Sequence, residues 1–310
     1  MAAIRINLFG RLAVFVDDRP LPIGPPHTKP IELLAYLLVH RQHSHLREAV
    51  ATLLWPELPA PHTRKHLRKA LCMLQHLLAD AVGPDDPSLL LIEHDWIALN
   101  PARELWLDVD AFEQAYALTQ RHAVGVLDSP IAQVIERAVA LYEGELLAGL
   151  YAAWCLHERE RLENMYLDLH RLLLVHAESQ QAYQLAIEHG LEILRHDRAN
   201  EHAHCDLMRL HYLNGNRSAA LRQYDHCVAA LASELGVKPC ACTEQLYRQL
   251  CQDELPLPSP ESNGEHVELQ RELGAAADSR RQLQQVRAEL QQMLELVQDE
   301  IDHVERLLQG

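Results

Sequence analysis

APHTRKHLRKALCMLQHLLAD, residues 60–80, is the stretch on which the fold assignment turns. At 100° per residue, Leu67, Leu71, Leu74 and Leu78 fall within about 60° of one another, which makes a core-facing stripe. The opposite side collects His62, Lys65, Arg68, Lys69, Cys72 and His76, with Arg64 nearer the core edge. A helix of this kind either reads a DNA groove or is a solvated amphipathic helix, and its neighbours must decide between the two.

On the N-terminal side, residues 4–16 (IRINLFGRLAVFV) alternate apolar and polar about Gly10. This predicts two short strands or one bent strand. Asp17, Asp18, Arg19 and Pro20 are turn residues, after which residues 21–23 can pair back. A proline-rich loop spans residues 24–30, and residues 31–40 (IELLAYLLVH) repeat apolar positions at three and four, with Pro30 suited to a first helical position. Ser44 stands ahead of a second helix over residues 46–55, with Leu46, Val50, Leu53 and Leu54 on one face and Glu48 near its N-terminus. Pro56, Pro59 and Pro61 end it. Beyond the opening helix, residues 83–87 form a loop, and residues 89–93 and 96–99 around His94-Asp95 read as a hairpin. Sheet, three helices and closing hairpin is the order of a winged helix-turn-helix, with His94 at the wing.

These residues carry a resemblance. INLFGRL (6–12), ELLAYLL (32–38), LLWP (53–56) and RKHLRKAL (64–71) resemble the DNA-binding half of the bacterial activators typified by the Streptomyces antibiotic regulatory proteins (SARPs), whose winged helix is similar to the OmpR type. The chain departs from that pattern in its proline-rich loop at 25–30 and in the histidines around the basic face. The resemblance implies binding to tandem repeats in promoter DNA and contact with RNA polymerase. On a DNA-binding reading the basic face makes Lys65, Arg68 and Lys69 the main contacting residues, with Arg64, His62 and His76 secondary and His94 on the wing.

Residues 109–255 are almost entirely helical by pattern, with runs at 108–119, 131–142 and 154–178, and Asp128-Ser129-Pro130 as a helix entrance. Leu173-Leu174 returns as Leu207-Met208, and Ala186-Ile187 as Ala220-Leu221, both 34 positions later. That is the tetratricopeptide period. YEGELLAGL (142–150), Trp154, ERERL (158–162), LRQY (221–224) and ELGV (234–237) are similar to the transcriptional activation domain that follows the winged helix in the same regulators. Where those proteins continue into a Pro/Ser linker, this chain has Lys238-Pro-Cys-Ala-Cys242.

The net charge of −16 is unevenly spread. The first 108 residues hold 11 Lys/Arg against 12 Asp/Glu, while residues 109–255 hold 12 against 21, so the basic cluster at 64–69 rides on an acidic body. No apolar run approaches the roughly 20 residues that cross a bilayer, and no charged leader opens the chain, so a soluble cytoplasmic protein without a membrane partner is expected. Seven scattered cysteines form no disulfide framework, and reduced thiols are expected. Cys240, Cys242 and Cys251 could supply three metal ligands, but no second pair at zinc-finger spacing accompanies them. His62 and His66 stand one turn apart with no acidic or cysteine partner in a recognisable motif. The twenty histidines are expected at the surface, and neither metal nor cofactor is assigned. There is no phosphate loop and no nucleophile elbow, and an enzyme is not expected.

A linker, LPLPSP, follows at 255–260. Beyond it Leu269, Ala276, Leu283, Leu290, Val297 and Val304 recur every seven residues, as do Leu273, Arg280, Arg287, Leu294, Ile301 and Leu308 four positions on. This is a coiled-coil seam, interrupted by two arginines, that suits self-association. The expected fold is mainly α with a small β component. A winged helix-turn-helix domain (1–105) precedes a TPR-like all-helical domain (106–253), a linker (254–266) and a C-terminal coiled coil (267–309). Two functions remain open: a sequence-specific DNA-binding transcriptional activator, or a protein-interaction scaffold that does not read DNA.

Overall fold

Alternation at the start of the chain produces β1 (Ile4–Asn7) and β2 (Ala13–Val16), which pair antiparallel with Ile4 opposite Val16. The computed structural model describes residues 3–25, 27–82, 86–121, 127 and 129–255. The expected linker and coiled coil lie almost wholly outside the described residues, as do parts of the 24–30 and 83–87 loops and Asp128. Asp17 and Asp18 both take positive φ, 49° and 60°, a conformation short polar side chains tolerate. The turn they make brings β3 (Arg19–Leu21) back against β2.

Helix α1 (Lys29–Val39) is capped by neither side chain nor glycine but carries Pro30 in its first turn, as its rigid φ favours. Two residues expected to help form the second helix do something else. His45 and Leu46 make the short strand β4, and α2 (Arg47–Leu54) begins only after it, with no side-chain cap, so Ser44 is not the cap. Val50 and Leu54, one turn apart, are buried, whereas Leu46 and Leu53 are exposed and do not belong to the core face. Next come α3 (Ala60–Val82) and the hairpin of β5 (Leu90–Ile92) and β6 (Trp96–Leu99), with β6 also pairing β4.

A further strand, β7 (Leu105–Leu107), runs parallel to β1 and completes a four-stranded sheet in the order β3-β2-β1-β7. Three residues leading straight into a helix show no alternation, so pattern alone could not find it. The 105/106 boundary therefore falls inside a strand of the first sheet.

The helical half contains α4 (Asp108–Arg121), α5 (Ser129–Val139), α6 (Ala153–Ser179), α7 (Tyr183–His196), α8 (Glu201–Leu213), α9 (Arg217–Glu234) and α10 (Ala241–Gln252). From α6 to α9 each helix packs on the next. Leu173, Leu174, Leu207 and Met208, the repeated pairs, are all buried, and so are Ala186, Ile187 and Ala220. Gly190 on α7 lets α8 approach closely: a Cβ there would stand 2.8 Å from Leu207 Cδ2. Asn200 and Asn216 cap α8 and α9 by accepting the N–H of Ala203 and Ala219, and Gly215 turns between those helices at a φ of +74°.

The two halves share one core, which runs from Ile4 of the first sheet to Leu173 of α6 without a break. Asp108, buried at the start of α4, accepts the N–H of Leu8 on both oxygens (2.9 and 2.7 Å), that of Phe9 (2.9 Å) and that of Val109 (2.7 Å). Burial raises its pKa in spite of those donors. The loop 143–150 lies along the end of β1: Gly10 N–H donates to Glu145 O (3.0 Å), Leu147 N–H to Leu8 O (2.8 Å) and Ala148 N–H to Gly10 O (2.6 Å). Arg159 holds that loop by donating to the carbonyls of Leu146, Leu147 and Leu150. Beside it, Arg41 pairs with Asp110 and Glu113 of α4, and Arg161 of α6 pairs with Glu113 and Glu158.

Two side-chain expectations are corrected. Not every histidine is at the surface: His170 and His204 are buried. The Nδ1 atoms of His170 and His189 lie 3.0 Å apart, so one imidazole donates to the other, and His204 Nδ1 accepts from Gln223 Nε2 (2.7 Å). Nor are all seven cysteines thiols, because Cys240 and Cys242 are joined as a disulfide. The other five are free.

Candidate nucleic-acid interface

Helix α3 is divided lengthwise as its sequence dictates. Thr63, Leu67, Ala70, Leu71, Leu74 and Leu78 are buried against α1 and α2. His62, Arg64, Lys65, His66, Arg68, Lys69, Cys72, Met73, Gln75 and His76 are exposed. Burying four leucines at about 2 kcal/mol each fixes the rotation of the helix, and that rotation turns the cations outward. Among the described residues no carboxylate pairs with Lys65, Arg68 or Lys69. Arg64 differs: its guanidinium donates to Glu48 of α2 at 2.5 Å, which raises its pKa. The pair is exposed on both sides, and its contribution to stability is small. His66 is engaged through its ring, 5.8 Å from that of Trp55.

The hairpin gathers a different charge. His94 is exposed at its tip, with Nδ1 2.8 Å from Asp95 Oδ1, and Glu93 stands on its other side. Its position comes from Arg47, the first residue of α2, which sequence reasoning passed over. The Arg47 guanidinium donates to Glu93 O (3.1 Å) and His94 O (3.4 Å), and its backbone N–H to Asp95 O (2.9 Å). Forty-six residues separate the partners, so no local pattern could announce the tether. The outer face of the hairpin, Leu91, Glu93, Trp96 and Ala98 with Ser44, lines a shallow hollow of about 330 Å³.

Behind this surface, residues 107–251 match the bacterial transcriptional activator domain. The transcriptional regulatory protein MoaR1 of Mycobacterium tuberculosis is 26% identical over 258 residues, 82% of each chain. The regulatory protein AfsR of Streptomyces coelicolor is 26% identical over 251 residues, 81% of this chain but 24% of that longer protein. Residues 107–251 are thus a bacterial transcriptional activator domain, and the chain as a whole is similar to named transcriptional regulators. Its fold is similar to that of a solved structure, Mycobacterium tuberculosis EmbR in complex with a low affinity phosphopeptide: TM-score 0.70 and 21% identity, covering 86% of this chain and 70% of that one.

The structure brings Lys65, Arg68 and Lys69 together on the outer face of α3, with His62 and His76 toward its two ends. It leaves Arg64 engaged with Glu48 and sets His94 on a separate element. Among the described residues no group of three His, Cys, Asp or Glu side chains is placed to hold a metal ion, and no helix is long and apolar enough to cross a membrane.

Proposed function

We propose that this regulator is a sequence-specific DNA-binding activator that lays α3 in the major groove of promoter DNA. The observation that carries this is the unpaired cationic face of Lys65, Arg68 and Lys69 on a helix whose other face is locked into the core. These three supply phosphate contacts, and one or two of them reach base edges; His62 and His76 flank them as secondary contacts. Arg64 contributes after exchanging Glu48 for a phosphate. His94 is the weakest of the set, since the carboxylates of Glu93 and Asp95 beside it repel the phosphate backbone. The acidic helical half supplies the contact with RNA polymerase. A DNA target places the protein in the cytoplasm. The heptad pattern of residues 267–309 suits self-association of the chain; a lower sedimenting mass after removal of residues 265–310 is the expected sign. No reaction is assigned to the chain.

The test begins by selecting bound fragments from a random DNA pool, then measures binding to the selected site over a salt series. Each phosphate contact adds about −0.9 to the slope of log K against log salt, so Lys65→Ala should flatten the slope by roughly that amount while weakening binding. Unchanged binding and slope in Lys65→Ala, Arg68→Ala and Lys69→Ala would remove this face as the reader. A chain with no preferred sequence at physiological salt would be the scaffold instead, the reading favoured by the acid excess of residues 109–255.

A further inference from the structure

The KPCAC segment at 238–242, which stands where a linker is expected from the sequence and lies inside the activator domain, is a feature that DNA binding leaves unexplained. Cys240 and Cys242 are joined across a single alanine at the entrance to α10, and both are exposed. Directly beneath them a third sulfur waits. The buried hydroxyl of Thr243 accepts from the Cys205 thiol of α8 (3.2 Å) and lies 3.3 Å from Cys240 Sγ, so one oxygen stands against both sulfurs. Glu201 of α8 completes the cradle: one of its oxygens accepts from Cys240 N–H and from Thr243 Oγ1, each at 2.6 Å.

We propose that Cys240–Cys242 is a reversible thiol–disulfide site on the activator domain, reduced by dithiols, with Cys205 as its resolving thiol. Three features support it. An exposed disulfide is open to attack by a reductant, unlike one folded into a core. Cys240 immediately precedes, and Cys242 lies in, the first turn of a twelve-residue helix, where the backbone N–H groups stabilise the thiolate released on reduction. On the DNA-binding reading the protein also works where thiols are kept reduced, and disulfides found there are transient or sensing ones.

The chemistry closes without further reactants. One thiolate of a dithiol attacks Cys240 Sγ, the Cys240–Cys242 bond breaks, and Cys242 leaves as a thiolate and takes up a proton. The second thiol of the reductant then displaces Cys240, leaving two protein thiols and one oxidised dithiol. In the internal variant the Cys205 thiolate attacks Cys240 Sγ and releases Cys242, moving the disulfide to Cys205–Cys240 with no net oxidation. The first path frees the entrance of α10, and the second clamps it to α8.

The full chain is equilibrated in mixtures of reduced and oxidised dithiothreitol, blocked with a maleimide and mapped by peptide mass. Exposed Cys72 and Cys251 should label throughout. Cys240 and Cys242 should stay at least about tenfold less labelled in oxidising mixtures and appear together, as one two-electron step, as the ratio turns reducing. A Cys205–Cys240 peptide should be found at intermediate ratios and vanish in Cys205→Ser, which keeps the Cys240–Cys242 step. Labelling of both residues in the oxidising mixtures would overturn the proposal, as would protection traced by native mass to a bound metal. Absence of the Cys205–Cys240 peptide would overturn the resolving role. None of these readouts involves DNA, so failure here is separate from failure of DNA binding.

Discussion

Replacing Asp108 by alanine should unfold the N-terminal half and the activator domain together. The carboxylate satisfies the N–H groups of Leu8 and Phe9, residues with 0% and 3% exposure, where no water can substitute for it. Leaving a buried donor unpaired costs about 1–3 kcal/mol each, and losing an acid from the first turn of α4 adds up to about 1 kcal/mol. Against this, alanine removes the desolvation of a buried charge, which shows in the raised pKa of Asp108. The balance is a loss of about 3 kcal/mol, a large part of the 5–15 kcal/mol that holds an ordinary domain folded. Asp108→Asn should be nearly as damaging, because its amide nitrogen is a donor facing donors. The assay is urea unfolding of residues 1–252 followed by tryptophan fluorescence and by far-ultraviolet circular dichroism. Both probes should report one coincident transition, displaced to lower urea. A loss below about 1 kcal/mol, or a split into two transitions with one unmoved, would refute the view that this carboxylate joins the halves.

Three further outcomes follow from the packing. Burial and the neighbouring His189 hold His170 down at about 4, below its ordinary 6.5. A depressed histidine stabilises the fold fully above 6.5 and loses that contribution as pH falls from 6.5 toward 4. Urea unfolding should therefore show a decline of up to roughly 3 kcal/mol over that window, reduced in His170→Gln. Gly190→Ala would gain about 1 kcal/mol of helix propensity, but its Cβ would meet the buried side chain of Leu207 at 2.8 Å. Overpacking of about 1–3 kcal/mol should win, and the melting temperature should fall rather than rise. Arg47→Ala removes the side-chain bonds to the hairpin tip, so amide exchange across residues 91–99 should quicken by about tenfold while α1 and α3 stay protected.

Strong periodicity made much of this molecule legible in advance. The stripe from Leu67 to Leu78 gave the rotation of α3, and the 34-residue echo of Leu173-Leu174 in Leu207-Met208 gave the helical pairs. What stayed hidden depends on partners far away in sequence. Leu105, Trp106 and Leu107 form a strand only because β1 has a vacant edge, and Leu46 leaves its helix because β6 offers it a partner. Arg47 could not be tied to the hairpin tip, nor Asp108 to Leu8, until the chain was folded. The histidines misled through composition: twenty of them suggested a wet surface, but His170 and His204 each find a nitrogen partner in the core. In the candidate interface, side-chain type and face were readable from the sequence, whereas the bond from Arg64 to Glu48 was not.

The parallel pairing of β7 with β1 bears on how such regulators can be recombined. A chain severed at residue 104 would leave Ile4, Arg5 and Ile6 as an open strand edge, a template for aggregation, and would also shed the loop that lies along Leu8 and Gly10. The N-terminal half is thus no free-standing cassette. A transplant that gives it another protein's effector would have to cross over behind Arg159, so the helices up to that point travel with the two sheets as part of the same inheritable block.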